Sequence, residues 1–221
     1  MRAVRTSCHC ECSKQTHACR FVVLTGGPGA GKTAVLEMVR RTLCPHVVVL
    51  PEAASIIFSG GFRRGNSLAS RKGIQRAIYH VQREQERICE EEKSAAIVLC
   101  DRGALDSLAY WPNSKQSFFA ELSTSAENEL SRYSAIIHLR TPSLALGYNH
   151  TNPMRIEQPA EAAEIDKKIA KVWAAHSNRH FVESTENFLE KAKMAIALIA
   201  AELPNCCKGH LTHLGGGASY R

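Results

Sequence analysis

Residues 26–33 read GGPGAGKT and fit the pattern GxxxxGK[ST] of a phosphate-binding loop (P-loop). The apolar run at residues 21–24 precedes this segment, and apolar residues at helical spacing follow it over residues 34–39. A buried strand before the loop and a helix after it are the context in which such a loop binds phosphate. We therefore predict that this segment binds a nucleoside triphosphate.

Each part of the loop has a physical role in this prediction. Glycines let backbone N–H groups converge on phosphate oxygens, and the start of the helix adds its positive dipole end. Lys32 can reach the β- and γ-phosphates, and the Thr33 hydroxyl is placed to ligate Mg²⁺. The predicted nucleotide-binding residues are Gly26, Gly27, Pro28, Gly29, Ala30, Gly31, Lys32 and Thr33.

Apolar runs alternate with helical patterns along the chain, as expected of a parallel sheet with helices on both faces. We predict strands at residues 21–24, 47–50, 96–100, 134–139 and, more weakly, 181–182. We predict helices at about 32–43, 71–93, 117–130, 160–176 and 187–203, with a short helical region after Ala104. In the helix at 71–93, the residues expected to face inward are Ile74, Ile78, Val81 and Ile88. The predicted fold class is α/β, in three layers α/β/α, with a mainly parallel sheet and a polar lid insertion at residues 147–159.

Length and composition favour one domain in a reducing compartment. The 221 residues suit a single α/β domain, which we expect at residues 21–203, between a disordered arm (1–20) and a disordered tail (204–221). No apolar stretch approaches the ~20 residues of a membrane helix, and a secretory signal is not recognisable. We therefore expect a cytoplasmic protein. The net charge of +7 comes largely from the arm and short basic runs, and no nucleic-acid recognition module is visible.

Nine cysteines, an odd number, agree with a reducing compartment. Residues 8–12, with His17 and Cys19, could gather a soft metal such as zinc, but they lack the paired CxxC spacing of a zinc finger. We interpret them, and residues 206–207, as incidental thiols of disordered ends. We expect three other cysteines to lie within helices or strands as small buried hydrophobic residues: Cys44, Cys89 and Cys100.

Two acidic residues follow predicted strands. Asp101 ends the third strand, where a carboxylate can hold Mg²⁺ opposite Thr33; the alternative is an N-cap for the next helix. Glu52 follows the second strand, at the edge of the sheet where open α/β folds bind ligands. It could accept a proton from an attacking hydroxyl or orient a water, and the alternative is a residue that merely starts a helix.

Two arginines complete the predicted catalytic set. Arg102, Asp106 and Tyr110 are spaced to share one helical face, and the run from residue 101 to 110, DRGALDSLAY, resembles nucleoside and nucleotide kinases, in which the Asp-Arg pair lies beside the acceptor. The alternative for Asp106 and Tyr110 is the polar edge of a half-buried helix. Arg155, in the polar insertion, could close over the phosphates, or it could be an exposed loop arginine.

Taken together, these positions resemble the NadR and TRPL-translocation-defect type of AAA-like P-loop domain over about residues 21–203. The resemblance is carried by residues 26–33, Pro51-Glu52, Ser59-Gly60-Gly61, Asp101-Arg102-Gly103, Asp106, Asn152, Arg155, Glu157, Glu161-Ala162, Asp166, Trp173 and His176. It implies a kinase-like P-loop NTPase fold and nucleotide binding. Within the family, the resemblance implies phosphorylation of ribosylnicotinamide for NadR. For the TRPL-translocation-defect protein of the eye, it implies binding of GTP and phosphoinositide.

The leading functional prediction is a Mg²⁺- and ATP-dependent phosphotransferase that acts on a hydroxyl of a small molecule, for which a nucleoside-like compound is one candidate. Its catalytic residues would be Lys32, Glu52, Asp101, Arg102 and Arg155. The alternative is a regulatory ATP- or GTP-binding switch with slow hydrolysis and a protein or phosphoinositide partner. ATP is preferred over GTP because no NKxD guanine-reading motif is present. Residues 59–61 resemble the signature sequence of ABC-type ATPases. That signature would lie just before the metal-binding aspartate, whereas these residues lie far before Asp101, so we set this class aside.

Overall fold

A single parallel sheet of five strands organises the protein. The computed structural model describes residues 17–44, 46–93, 95–142, 159–185 and 187–208. The strands are β1 (Arg20–Thr25), β2 (Val47–Leu50), β3 (Ile97–Asp101), β4 (Tyr133–Leu139) and β5 (Arg179–Val182). Their order across the sheet is β2-β3-β1-β4-β5, and every pairing is parallel.

Helices connect the strands and cover the sheet. They are α1 (Lys32–Thr42), α2 (Ala53–Ser59), α3 (Leu68–Glu92), α4 (Asp106–Ala109), α5 (Lys115–Glu121), α6 (Ala126–Ser131), α7 (Pro159–Val172), α8 (Phe188–Ala201) and α9 (Asn205–Lys208). Several begin at a side chain that accepts a hydrogen bond from the first turn, as Ser67, Ser114 and Ser125 do. No helix in the described ranges has the length and apolar character needed to cross a bilayer.

The core lies in two layers, one on each face of the sheet. Along β1, Val22 and Leu24 pack into a cluster with side chains of α1 and α8. Phe21 and Val23 point the opposite way, into a cluster that includes Trp173. This alternation follows from the two-residue period of a strand, and it confirms the predicted three-layer α/β class.

The strand order brings the chemically interesting segments to one edge. In the register of the sheet, Leu24 of β1 pairs with Asp101 of β3, and Leu50 of β2 pairs with Cys100. The loop after β1, the end of β3 and Glu52 after β2 therefore meet at the carboxyl edge, where parallel α/β sheets bind ligands.

Three local predictions differ from the structure. The predicted helix at 117–130 is two helices, α5 and α6, because Ser123 between them has a positive φ of 51°. Helix α2 was not predicted at all. Ile88 of α3 is 51% exposed rather than inward-facing.

Polar residues explain the missed face of α3. Its buried side chains include Gln82 and Glu86. Glu86 is fully buried and accepts hydrogen bonds from Gln82, Arg83 and Tyr133. A pattern based only on apolar residues cannot locate this buried face of α3, because the face includes polar side chains. The charge of Glu86 can be buried there because hydrogen-bond partners surround it.

The packed structure continues beyond the predicted domain limits of 21 and 203. Arg20 begins β1, and its Nη2 lies 2.5 Å from a carboxylate oxygen of Glu202. Cys207, in α9, is 1% exposed and belongs to the core cluster of α1 and α8. Residues 205–208 thus differ from the predicted disordered tail, whereas residues 1–16, 209–221 and most of the predicted lid lie outside the described residues.

Candidate active site

The phosphate-binding loop has a backbone that only glycine fits at its start. Gly26 has a φ of 137°, and a Cβ there would lie 2.0 Å from the carbonyl oxygen of Leu139. Gly31, with a φ of 91°, is the N-cap of α1, so the first N–H groups of that helix open toward the loop. Pro28, Gly29 and Ala30 line the cavity in front of the helix.

Lys32 is folded against the loop itself. Its Nζ donates hydrogen bonds to the carbonyl oxygens of Gly26, at 2.9 Å, and Gly27, at 3.1 Å. Burial, and then the nearby charge of Arg102, lower the pKa of Lys32 to about 8. A buried ammonium of this kind gains most from an anionic ligand, because the ligand offsets its desolvation.

Asp101 has an unsatisfied atom at the end of β3. Its Oδ1 is buried and has no hydrogen-bond partner among the described residues. Burial raises the pKa of Asp101, against the opposing effect of Lys32. Thr33 is exposed and lines the same cavity. A carboxylate and a hydroxyl are hard oxygen donors, so this pair fits Mg²⁺.

Glu52 and Arg102 form an ion pair beside the loop. Arg102 Nε lies 2.6 Å from Glu52 Oε1, and Ser55 Oγ donates to Glu52 Oε2 at 2.5 Å. Arg102 also donates to the carbonyl oxygen of Gly26 at 3.2 Å. Burial alone would raise the pKa of Glu52, but Arg102 and the Ser55 hydrogen bond bring it below its ordinary value. Glu52 is therefore a carboxylate at neutral pH.

The predicted helical face of Arg102, Asp106 and Tyr110 is wrong in its geometry, although all three line one cavity. Arg102 precedes α4 and has a φ of 72°, outside the helical region. Asp106 is 2% exposed and accepts hydrogen bonds from Thr25 Oγ1 and Trp173 Nε1, each at 2.7 Å. It is thus a buried anchor between β1 and α7 rather than a polar edge.

Asp166 of α7 is a supporting residue that was not among the predicted site residues. Its Oδ1 accepts from the backbone N–H of Gly27 at 3.0 Å and lies 2.8 Å from His138 Nε2. Its Oδ2 lies 2.9 Å from Arg140 Nη1. The only sequence signal for it was its place in the resemblance pattern, because nothing local to α7 indicates a contact with the loop.

The loop, Glu52, Asp101, Arg102 and Asp106 line one cavity of about 870 Å³, a size typical of small-molecule sites. One wall holds residues 28–34, with Glu52, Asp101 and Arg102 beside it. The other wall is formed by residues of α2 and α3, by Arg64 between them and by Tyr110 just after α4; the residues of α2 and α3 are Ala53, Ala54, Phe58, Ile74, Gln75, Ile78 and Gln82. Arg155, predicted to act from the lid, lies outside the described residues.

Comparison with known proteins agrees with this geometry. The family described as "AAA domain" matches residues 21–191, and the chain belongs to that family. No curated protein sequence matches the chain significantly. Family and fold together define a P-loop protein with a kinase-like fold, for which the loop implies nucleotide binding.

Two solved structures share the fold at low sequence identity. Deoxyadenosine kinase from M. mycoides with bound dATP has a TM-score of 0.57 and 10% identity, covering 81% of this chain and 98% of that one. Thymidylate kinase from Ehrlichia chaffeensis has a TM-score of 0.52 and 13% identity, covering 82% of this chain and 99% of that one. At such identities the likeness shows the fold alone.

Proposed function

We propose that this protein is a Mg²⁺- and ATP-dependent kinase that transfers the γ-phosphoryl group to a hydroxyl of a small molecule. The observation that carries the proposal is that the Glu52–Arg102 ion pair lines the same cavity as the phosphate-binding loop. A triphosphate on the loop and an acceptor beside Glu52 would share one space, as direct phosphoryl transfer requires.

The phosphate end of the cavity would be built from the loop and the end of β3. Lys32 would exchange one of its bonds to the Gly26 and Gly27 carbonyls for a bond to a phosphate oxygen. Thr33 and Asp101 would hold Mg²⁺, which neutralises charge on the phosphates when bound. Arg155 remains a prediction from the sequence: as a lid residue, it would add positive charge over the phosphates.

The acceptor end depends on Glu52. Its pKa, held below the ordinary value by Arg102 and Ser55 against the effect of burial, keeps it ionised. It would accept a hydrogen bond from the acceptor hydroxyl and take the proton while the new O–P bond forms and the bond from the γ-phosphorus to the departing ADP breaks. A carboxylate of low basicity suits this role, since phosphoryl transfer depends mainly on positioning.

The far wall suits a flat, partly polar acceptor. Phe58 and Tyr110 offer aromatic rings, and Ile74 and Ile78 offer apolar surface. Gln75 Oε1 is buried without a hydrogen-bond partner among the described side chains, so a donor group on the acceptor would satisfy it. We therefore favour a nucleoside-like acceptor. The names of the two structural neighbours, a deoxyadenosine kinase and a thymidylate kinase, agree with that choice.

The test is a screen of nucleotides with Mg²⁺ by thermal shift, followed by an assay of ADP formation over nucleosides and small alcohols. We expect ATP to stabilise the protein and one acceptor class to accelerate ADP formation. Lys32→Ala should abolish both effects, whereas Lys167→Ala, a change at an exposed lysine of α7, should alter neither. Wild-type ATP affinity in Lys32→Ala would overturn the proposal. Slow hydrolysis that no acceptor accelerates would instead favour the regulatory switch.

A further inference from the structure

A cluster of metal-binding side chains lies away from the cavity. The thiols of Cys44 and Cys207 and the imidazole of His46 offer one ligand atom each, and these atoms all lie within 4.8 Å of one another. Cys44 is 7% exposed and Cys207 is 1% exposed. His46 Nδ1 lies 3.3 Å from Cys207 Sγ.

Connectivity places this cluster at the amino edge of the sheet, opposite the cavity. α1 starts in the phosphate-binding loop and ends at Thr42, just before Cys44. Its 11 residues span about 16 Å at 1.5 Å per residue. His46 immediately precedes β2, whose other end leads to Glu52. None of the three ligands lines the cavity, so their function is separate from the proposed transfer reaction.

The spacing and chemistry of the cluster match a structural zinc site. Zn–S bonds of about 2.3 Å and Zn–N bonds of about 2.0–2.1 Å place neighbouring ligand atoms about 3.5–3.8 Å apart around a tetrahedral ion. In the cluster, His46 Nδ1 and Cys207 Sγ are 3.3 Å apart and no separation exceeds 4.8 Å, so shifts of about 1 Å or less would bring the three atoms to the zinc geometry. Two thiols and an imidazole are the ligand types that zinc prefers, and they come together here from segments far apart in the sequence.

We propose that Cys44, His46 and Cys207 bind a Zn²⁺ ion, with His17 as the fourth ligand. Binding forms two Zn–S bonds and two Zn–N bonds and releases the two thiol protons to solvent. The rings of His17 and His46 are edge-on, with centroids 5.3 Å apart. His17 is outside the group of three residues whose ligand atoms lie within 4.8 Å of one another, so its side chain would move toward them to complete the site. Four protein ligands give the closed coordination of a structural site.

Such an ion would join both ends of the described part of the chain to the core. His17 precedes β1, Cys44 and His46 flank the turn from α1 to β2, and Cys207 lies in α9. The metal would fix α9 and the start of β1 against that turn. Its function would be to stabilise the fold, because the cluster lies at the other end of α1 from the phosphate-binding loop.

The experiment measures zinc in the full-length chain, purified without chelator, by plasma mass spectrometry. We expect roughly one zinc per chain in the wild type and at least ~10-fold less in Cys44→Ser and Cys207→Ser. His17→Ala should retain part of the zinc. Cys89→Ser is the matched control, because Cys89 is a buried thiol outside the cluster and its loss should leave the zinc content unchanged.

Two further measurements distinguish this site from zinc bound elsewhere on the chain. A triple variant, Cys8→Ser with Cys10→Ser and Cys12→Ser, should keep its zinc; loss of zinc only in that variant would move the site to the N-terminal arm. Cobalt substituted into the wild type should give a charge-transfer absorption with the intensity of two thiolate ligands, a readout that does not depend on a variant folding. Absence of zinc and of this band in the wild type would overturn the proposal.

Discussion

At the scale of single residues, the candidate site contains buried polar side chains whose hydrogen bonding or charge is not fully compensated. Asp101 has a buried oxygen without a partner within the described part of the chain, and the buried ammonium of Lys32 donates to the carbonyl oxygens of Gly26 and Gly27. Unsatisfied polar atoms in a cavity cost free energy in the folded protein. That cost is offset when a ligand supplies the missing partner, which supports the proposed binding of a nucleotide and Mg²⁺ at these atoms.

Glu52→Gln tests the proposed acceptor-side role. Glutamine keeps the shape and can still accept a hydrogen bond from Arg102, so we expect ATP affinity within a few-fold of the wild type. Turnover with the acceptor should fall by at least ~100-fold, because the amide cannot take the hydroxyl proton. Steady-state kinetics and calorimetry would measure the two effects. Glu190→Gln, at an exposed position on α8, is the control. Wild-type turnover in the variant would reduce Glu52 to a residue that starts α2.

Asp101→Asn tests the proposed metal ligand. We expect the variant to lose more of its affinity for ATP with Mg²⁺ than for ATP alone, because an amide is a weaker ligand for a hard cation than a carboxylate. Calorimetric titrations with and without Mg²⁺ would show the difference. Equal losses under the two conditions would make Asp101 a structural residue at the end of β3.

Most of these residues could be predicted from the sequence because they follow strands or lie in a motif. Lys32, Thr33, Asp101 and Glu52 were expected to meet, since the carboxyl ends of parallel strands share one edge. The ion pair between Glu52 and Arg102 was not foreseen. Arg102 makes this contact with a positive φ of 72°, and local sequence patterns do not report that conformation.

At the scale of elements, α7 packs against the phosphate-binding loop and forms a hydrogen bond with its backbone. Asp166 accepts the Gly27 N–H, and Trp173, just after the helix, donates to Asp106. A Cβ at Gly27 would lie 2.4 Å from Thr141 Oγ1 and 2.8 Å from Asp166 Cβ, so the loop and the helix are in close contact there. The helix itself could be predicted from its pattern. The buried charge of Asp166 that joins it to the loop could not, because the partners of that charge lie on β4 and in the loops that follow β1 and β4.

Asp166→Asn tests this support. Burial opposes ionisation, but hydrogen bonds from His138 and Gly27 and the charge of Arg140 lower the pKa of Asp166 below 3.8. The carboxylate therefore contributes stability that is fully present above about pH 4 and is lost as the pH falls through its folded-state pKa. We expect the variant to lose on the order of 1–3 kcal/mol of unfolding free energy at neutral pH, the range for a charged hydrogen bond or an unsatisfied buried partner.

Urea unfolding at several pH values would measure this loss. The difference between wild type and variant should shrink as the pH falls from 3.8, where the carboxyl of the unfolded wild type begins to bind its proton, through the lower pKa of the folded state. Glu164→Gln, at an exposed glutamate of the same helix, should change the stability little. A difference that does not vary with pH would show that the contribution of Asp166 is not electrostatic.

At the scale of the whole molecule, the two edges of the sheet have different tasks. The carboxyl edge carries the loop, Glu52 and Asp101, whereas Arg20 and Glu202, near the two ends of the described chain, pair at the amino edge. The alternation of strands and helices was enough to predict the three layers. It could not predict that α9 packs into the core, because four residues with one buried cysteine have no periodic pattern.

The amino edge leads to a prediction about the limits of the domain. A fragment of residues 21–203, the sequence-based domain, lacks Arg20, which pairs with Glu202, and Cys207, which is buried in the core. A fragment of residues 17–208 retains both. We expect the shorter fragment to have an unfolding free energy lower by about 2 kcal/mol, the contribution of one buried apolar side chain, with the exposed ion pair adding little.

Urea unfolding of the two fragments, both in the presence of a chelator, would measure this difference without any contribution from bound metal. Under conditions where both are folded, their ATP affinities should agree within a few-fold, because the missing residues lie at the opposite edge from the loop. Equal stabilities would mean that α9 adds nothing to the core. A loss of ATP affinity in the shorter fragment while it stays folded would mean that the two edges are coupled. The element that would transmit the effect is α1, which runs from the loop to Thr42, just before Cys44.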